Sequence, residues 1–159
     1  NGSKLILKEL LGSITGYDYV MVDCPPSLGV LNQNVLAFCR EAFVTVSTDF
    51  LGYDALRKMQ DVINKINLAY GNNIRLTKVI PTLYDRRNRI CIDTLKEIKM
   101  MYPAITSTPI RYNSKLKEAP KFGQSIFKYA KSSIGAKDYE QLVNEVVAME
   151  KISVHAATE

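Results

Sequence analysis

Apolar positions along this chain recur in two periods, and the periods alternate. Between Ser3 and Gly16, Leu7, Leu10, Leu11 and Ile14 fall on one face of a helix that Ser3 can cap and Gly16 can stop. A different pattern follows. Tyr19-Val20-Met21-Val22 is continuously apolar, ends on Asp23 and is cut off by Pro25 and Pro26. A short apolar run bounded by breakers reads as a buried parallel strand. After Gly29 the helical period returns, with Leu31, Val35, Leu36 and Cys39 predicted on the buried side. Residues 43–48 predict a second strand ending at Asp49. Gly52 precedes a long amphipathic helix carrying Leu56, Met59, Ile63 and Ile66, closed by Gly71-Asn72-Asn73. Residues 75–83 predict a third strand with Pro81 near its end. A polar loop at 84–89 leads into a helix with Cys91, Leu95, Ile98 and Tyr102 on one stripe, ended by Pro103. A short fourth strand is expected at 105–110, then a second loop or single helical turn at 111–120. The last helix places Tyr139, Leu142, Val143, Val146 and Val147 on one face.

Strands alternating with helices make βαβ units, so the fold class is α/β, a mostly parallel sheet flanked by helices. No internal repeat, low-complexity tract or linker divides the chain. Residues 1–150 read as part of one α/β domain and 151–159 as a flexible tail. The 159 residues suffice for one core.

Composition changes this picture little, with 47% hydrophobic and 23% charged residues. No window approaches the apolar length of a membrane span and no signal-like segment opens the chain, so a cytoplasmic setting without a membrane partner is expected. Cys24, Cys39 and Cys91 lie far apart without metal-ligand spacing and read as reduced core thiols. The single histidine, His155, stands in the polar tail, which argues against histidine catalysis and a histidine metal site.

The net charge of +5 changes the picture more, because it is uneven. Residues 85–137 hold twelve Lys and Arg against four Asp and Glu, whereas residues 138–159 hold one against five. A basic segment of this kind suits a polyanionic partner, or is simply a solvated face. Its loop cations are Arg86, Arg87, Arg89, Arg111, Lys115, Lys117 and Lys121, in two loops that follow consecutive strands. The chain has no helix-turn-helix and no aromatic-glycine RNA motif, so non-specific double-stranded DNA is the expected polyanion. Tyr84 and Tyr112 beside these cations either stack on bases or pack at the rim. Asp23 is the other chemical candidate. Open α/β sheets place ligands at the carboxyl ends of their strands, where an acid can hold magnesium directly or through water. A solvated Asp at a strand end is the plainer alternative.

Taken together, these motifs resemble the ParA-type (Soj-like) deviant Walker ATPases of plasmid and chromosome partition. Residues 17–29 look like that family's Walker B strand and switch II, continued by Asn34 and Leu36. Thr82-Leu83-Tyr84-Asp85 with Arg87 is similar to its Thr-Met-Tyr-Asp-x-Arg segment. Asn113, Leu116 and Glu118-Ala119-Pro120 resemble its Asn-x-Arg-Leu-Ser-Glu-Ala-Pro segment, with Lys115 where arginine is usual. Tyr129, Ser133, Gly135, Ala136 and Tyr139 match its C-terminal signature.

The resemblance implies a P-loop NTPase-like fold of the deviant Walker type, ATP and Mg2+ as cofactors, and ATP hydrolysis. Asp23 would be the catalytic-site acid that orders the magnesium through water. Pro25, Pro26 and Ser27 would form switch II, and Arg111, Asn113 and Ser114 would lie on the base side of the nucleotide. ATP-dependent homodimerisation, non-specific DNA binding, a ParB-like centromere-binding partner and a nucleoid-associated location are implied with them. Of the loop cations only Arg87 and Lys115 sit at matching family positions; the others rest on charge.

Departures from the family pattern matter as much. None of the eight glycines is spaced for the family's Lys-Gly-Gly-x-Gly-Lys nucleotide loop, which supplies the phosphate cradle and the magnesium hydroxyl. The chain therefore reads as the part of a longer protein after that loop, incomplete at its N-terminus, or as a natural truncation. Unpaired strand edges in such a piece are expected to promote aggregation or dimerisation. Ile110-Arg111-Tyr112-Asn113 replaces the family's Ile-Pro-Arg-Asn, and Thr45 and Ser47 replace its usual Pro and Gln, which leaves the base contact open. The alternatives are a nucleotide-independent DNA-binding or dimerisation module on the same scaffold, and a MinD-like positioning ATPase.

Overall fold

The computed structural model describes residues 6–24 and 29–156, with side chains as far as Met149. Its elements are α1 (Ile6–Leu11), α2 (Val30–Phe38), β1 (Glu41–Ser47), α3 (Phe50–Tyr70), β2 (Arg75–Thr82), α4 (Arg89–Met101), α5 (Ser114–Glu118), a 3-10 turn (Ala119–Phe122), α6 (Ile126–Tyr129) and α7 (Ile134–Ala156). The long helices sit where the apolar period put them. Leu56, Ile63 and Ile66 of α3 are buried, as are Cys91, Leu95 and Ile98 of α4. Asn88 caps α4, its side chain accepting the Ile90 N–H at 2.9 Å.

β1 and β2 pair in parallel. The Arg75 N–H donates to the Arg40 carbonyl at 3.0 Å near one end, and the Thr48 N–H donates to the Thr82 carbonyl at 3.1 Å near the other. Residues 105–111 run parallel to β2 on its far side, yet only as two isolated bridges, Val79 with Thr106 and Tyr84 with Arg111. The interruption has a covalent cause. In a parallel ladder every second residue faces the same neighbour, and after Val79 that residue is Pro81, which has no N–H to give. Pro109 has none either, and the Ile110 N–H takes over, donating to the Pro81 carbonyl at 2.8 Å.

The chain divides into two compact units. The first comprises residues 1–43 with 56–77, and its buried apolar residues are Ala37, Leu56, Ile63, Ile66 and Ile74. The second comprises residues 44–55 with 78–159, centred on Val46, Val79, Ile80, Cys91, Leu95, Ile98, Ile110, Ala119, Ile126 and Ala136.

Four sequence expectations need correction. Residues 19–23 form no strand; Tyr19, Val20 and Met21 are exposed. A strand exists only when its backbone groups are paired, and among the described residues no strand is hydrogen-bonded to this run. On α2 the buried positions are Asn32, Asn34 and Ala37, while Leu31 is 73% exposed. Asn34 is accommodated because its amide donates to the Val30 carbonyl at 3.0 Å and its oxygen accepts the Leu7 N–H at 3.5 Å. On α7 the apolar stripe is only partly covered: Leu142 and Val146 are half-buried, Tyr139, Val143 and Val147 are exposed, and full burial falls on Gly135, Ala136 and Asp138. Its first turn packs closely, where a Cβ on Gly135 would lie 2.8 Å from Leu116 Cγ, and further along Glu145 accepts the Thr108 N–H at 3.1 Å and meets the buried Lys78 at 3.7 Å. Cys24 is exposed rather than in the core. The predicted Ser3 cap lies outside the described residues, and α7 continues past residue 150 to Ala156. Among the described residues no helix is long and apolar enough to cross a membrane.

Candidate nucleic-acid interface

The two basic loops begin side by side because the strands that feed them stay paired past the end of β2. The Tyr84 N–H donates to the Ile110 carbonyl at 3.1 Å, and the Tyr112 N–H donates to the Tyr84 carbonyl at 2.9 Å. Between them and β2 stands Leu83, whose φ of +55° is a left-handed conformation that a leucine rarely holds. Its side chain is exposed beside Tyr112 and Tyr139, all three lining a groove of about 160 Å³ with Asn113, Leu116 and Lys117.

The candidate cations differ in what they have already met. Arg87 is folded onto Asp85, its guanidinium donating at 2.9 and 3.1 Å and its backbone N–H at 2.9 Å. Arg89 donates to Asp93 one turn on at 3.2 Å. Lys115 reaches Glu118 at 2.7 Å, and the same carboxylate oxygen accepts the Tyr129 hydroxyl at 2.8 Å. The Tyr129 ring stacks on Phe122 at 5.2 Å between centroids. Lys117 places its ammonium 4.8 Å from the centre of the Tyr112 ring, a cation–π contact that leaves its charge uncompensated. Arg86, Lys117 and Lys121 make no ion pair among the described residues.

These pairs leave marks on titration. The Arg87 side chain, and then its backbone N–H, hold the Asp85 carboxyl down at about 2. Lys115 and then Tyr129 hold Glu118 below the usual carboxylate range. Because the folded Asp85 value is depressed, its stabilising contribution is fully present above the unfolded value near 3.8 and is lost as pH falls toward 2. The carboxyl is half-exposed and its arginine partner is open to solvent, so the effect is on titration more than on stability. Asp85 carboxyl shifts followed by NMR are expected to show a midpoint near 2 that rises toward the ordinary aspartate value in Arg87→Ala. An unchanged midpoint in that variant would refute the pairing.

Arg111 stands apart. It is held by Asp138 of α7, 27 residues away: its backbone N–H donates to Oδ2 at 2.9 Å, its Nε at 3.0 Å to the same oxygen, and its terminal nitrogen to Oδ1. Asp138 is buried, with 6% of its side chain exposed, while the arginine remains 43% exposed. Asn113 caps α5, its side-chain oxygen accepting the Lys115 N–H at 2.8 Å, and Ser114 opens that helix. The sequence reading missed Asp138 and took Tyr129 only as part of the C-terminal signature. Asp138 sits just before the predicted apolar stripe of the last helix, and nothing in its spacing points to Arg111.

Asp23 is exposed in the irregular segment that ends at Cys24, and Pro25, Pro26 and Ser27 lie outside the described residues. One solvated carboxylate fits a magnesium ion held through water. Among the described residues no group of three or more His, Cys, Asp or Glu is placed to hold a metal directly. The chain contains no glycine-rich phosphate cradle, so Asp23 would supply one part of a magnesium-nucleotide site and no hydrolytic step follows from these residues alone.

This parallel α/β arrangement is that of the P-loop ATPases. It is similar to cobyrinic acid a,c-diamide synthase from Mycobacterium smegmatis, solved with bound ADP and magnesium, at a TM-score of 0.73 and 25% identity over 94% of this chain and 55% of that one. A family model described as an AAA domain matches residues 1–78. The chromosome-partitioning ATPase Soj of Treponema pallidum is 30% identical over 91% of this chain and 58% of its own length. The chromosome partitioning protein ParA of Caulobacter vibrioides is 29% identical over 85% of this chain and 51% of its own. Over most of its length the chain is similar to ParA/Soj-type chromosome-partitioning ATPases. It spans about half the length of these curated relatives, between 51% and 58%.

Proposed function

We propose that this chain carries the DNA-facing part of a ParA-like partition ATPase, which dimerises with ATP and Mg2+, binds double-stranded DNA without sequence preference and segregates plasmid or chromosome DNA. The observation that carries this reading is the backbone pairing of Tyr84 with Ile110 and Tyr112, which brings the starts of the two basic loops together. Phosphates recognised there need charge and no base readout, so binding is sequence-independent and steeply dependent on salt. Arg86, Lys117 and Lys121 supply the charge that no ion pair holds, and Arg87, Arg89 and Lys115 supply more when a phosphate displaces their carboxylate partners. Asp23 serves the magnesium through water, with Pro25, Pro26 and Ser27 as the adjoining switch. Asn113 and Ser114 face the nucleotide base. A ParB-like protein and a second copy are the protein partners, in the cytoplasm on the nucleoid.

The absence of a glycine-rich cradle from these residues favours one second reading, a DNA-binding module that needs no nucleotide. Fluorescence anisotropy of a labelled random-sequence duplex, titrated with and without ATP and magnesium, separates the two. Binding strengthened by nucleotide supports the ATPase reading, and binding indifferent to it supports the module. No binding that weakens between roughly 50 and 200 mM salt would sink both.

A further inference from the structure

Arg111 looks like a DNA-binding cation by sequence, yet it is the loop cation with the strongest internal engagement. Its backbone N–H, its Nε and its terminal guanidinium nitrogen all donate to the two oxygens of one carboxylate. That carboxylate, Asp138, is on α7 and nearly closed to water, with 6% of its side chain exposed. A buried carboxylate of this kind holds its partner far more firmly than the exposed pairs of Arg87, Arg89 and Lys115 do, because releasing the arginine strands an uncompensated charge in a low-dielectric site. The residue at 111 also carries the backbone bridge to Tyr84, so the clamp fixes the point where the two loops join.

We propose that Asp138 is a positioning residue for the polyanion surface: it anchors the paired start of both basic loops to α7 and withholds the Arg111 charge from the DNA. This rests on the DNA-binding reading and deepens it. The surface then has fewer working cations than its sequence advertises, and removing the acid adds one. The replacement Asp138→Asn keeps an oxygen for the Arg111 N–H while removing the carboxylate charge and the second oxygen that hold the guanidinium.

The test is the slope of log affinity against log salt for a random-sequence duplex, read on the whole chain. Asp138→Asn is expected to steepen the slope by about 0.9, the contribution of one added phosphate contact. Arg111→Ala, which leaves the backbone donor in place, is expected to leave the wild-type slope unchanged. In the double variant the gain of Asp138→Asn should disappear, an outcome that a merely structural role for Asp138 does not produce. The clamp is overturned if Arg111→Ala flattens the slope by about 0.9, since the arginine would then already be meeting a phosphate. It is equally overturned if a folded Asp138→Asn protein keeps the wild-type slope. Should either single variant not fold, the double variant, which removes both charges, decides: a wild-type slope keeps the clamp, and a slope flatter by about 0.9 overturns it. A wild-type chain with no salt-dependent binding would instead remove the DNA reading beneath the proposal.

Discussion

Alanine at Arg86, Lys117 and Lys121 together is expected to remove most of the salt-dependent affinity of this chain for DNA. These are the loop cations with no ion-pair partner among the described residues, Arg86 acting on Asp85 only at longer range, so each can meet a phosphate without breaking a salt bridge. Each phosphate contact contributes about 0.9 to the log–log salt slope, so three account for about a forty-fold change in affinity between roughly 50 and 200 mM salt. The control is alanine at Arg87, Arg89 and Lys115, whose charges are offset by Asp85, Asp93 and Glu118. That set should cost less, because the DNA gains each of those cations only by displacing a carboxylate. Both triple variants should keep near-native stability, since surface changes of this kind shift it by about 0.5 kcal/mol or less apiece. Anisotropy across a salt series measures the slopes. Equal losses in the two triples would show that pairing in the free protein does not decide which cations bind.

Gly52→Ala is expected to destabilise the fold by about 1–3 kcal/mol, although alanine is the better helix former by about 1 kcal/mol. Gly52 lies in the first turn of α3, and a Cβ there would fall inside contact distance of the Ser47 carbonyl oxygen and hydroxyl. The hydroxyl can rotate, but the carbonyl belongs to a backbone that has no room to yield. Thr48, the next residue, is pinned to the Thr82 carbonyl by its N–H at 3.1 Å and its hydroxyl at 3.2 Å. Asp49 holds the helix start from its other side, accepting the Gly52 N–H at 2.8 Å. That bond, together with the Ser47 side chain, keeps the Asp49 carboxyl below its ordinary range. A urea midpoint that falls with an unchanged slope would bear this out. A midpoint that holds or rises would mean the strand-to-helix turn is looser than its contacts imply.

How much was legible beforehand depended on how local the cause was. The burial of α3 and α4 followed from i, i+3 and i+4 spacing, because a helix long enough to show its period needs only one neighbour to bury its stripe. The final helix kept the period but only part of the predicted burial, since Leu142 and Val146 are half-buried while Tyr139, Val143 and Val147 face water. The run before Asp23 failed for a related reason. Its composition is that of a strand, and composition cannot supply the hydrogen-bonded partner that a strand requires.

The same division runs through the interface. By itself the sequence determined the α/β alternation, the placement of the cations in two loops after consecutive strands, and the local pairs. Arg89 with Asp93 and Lys115 with Glu118 are four and three residues apart on helices, a spacing that brings side chains together wherever the helix lies. Only the tertiary structure decided that Arg111 is spent on Asp138, across 27 residues, and that Tyr84 and Arg111 lock the two loops at their base. Ion pairing within a turn is a property of the local chain, whereas a buried carboxylate takes whichever cation the packing of a distant helix delivers to it.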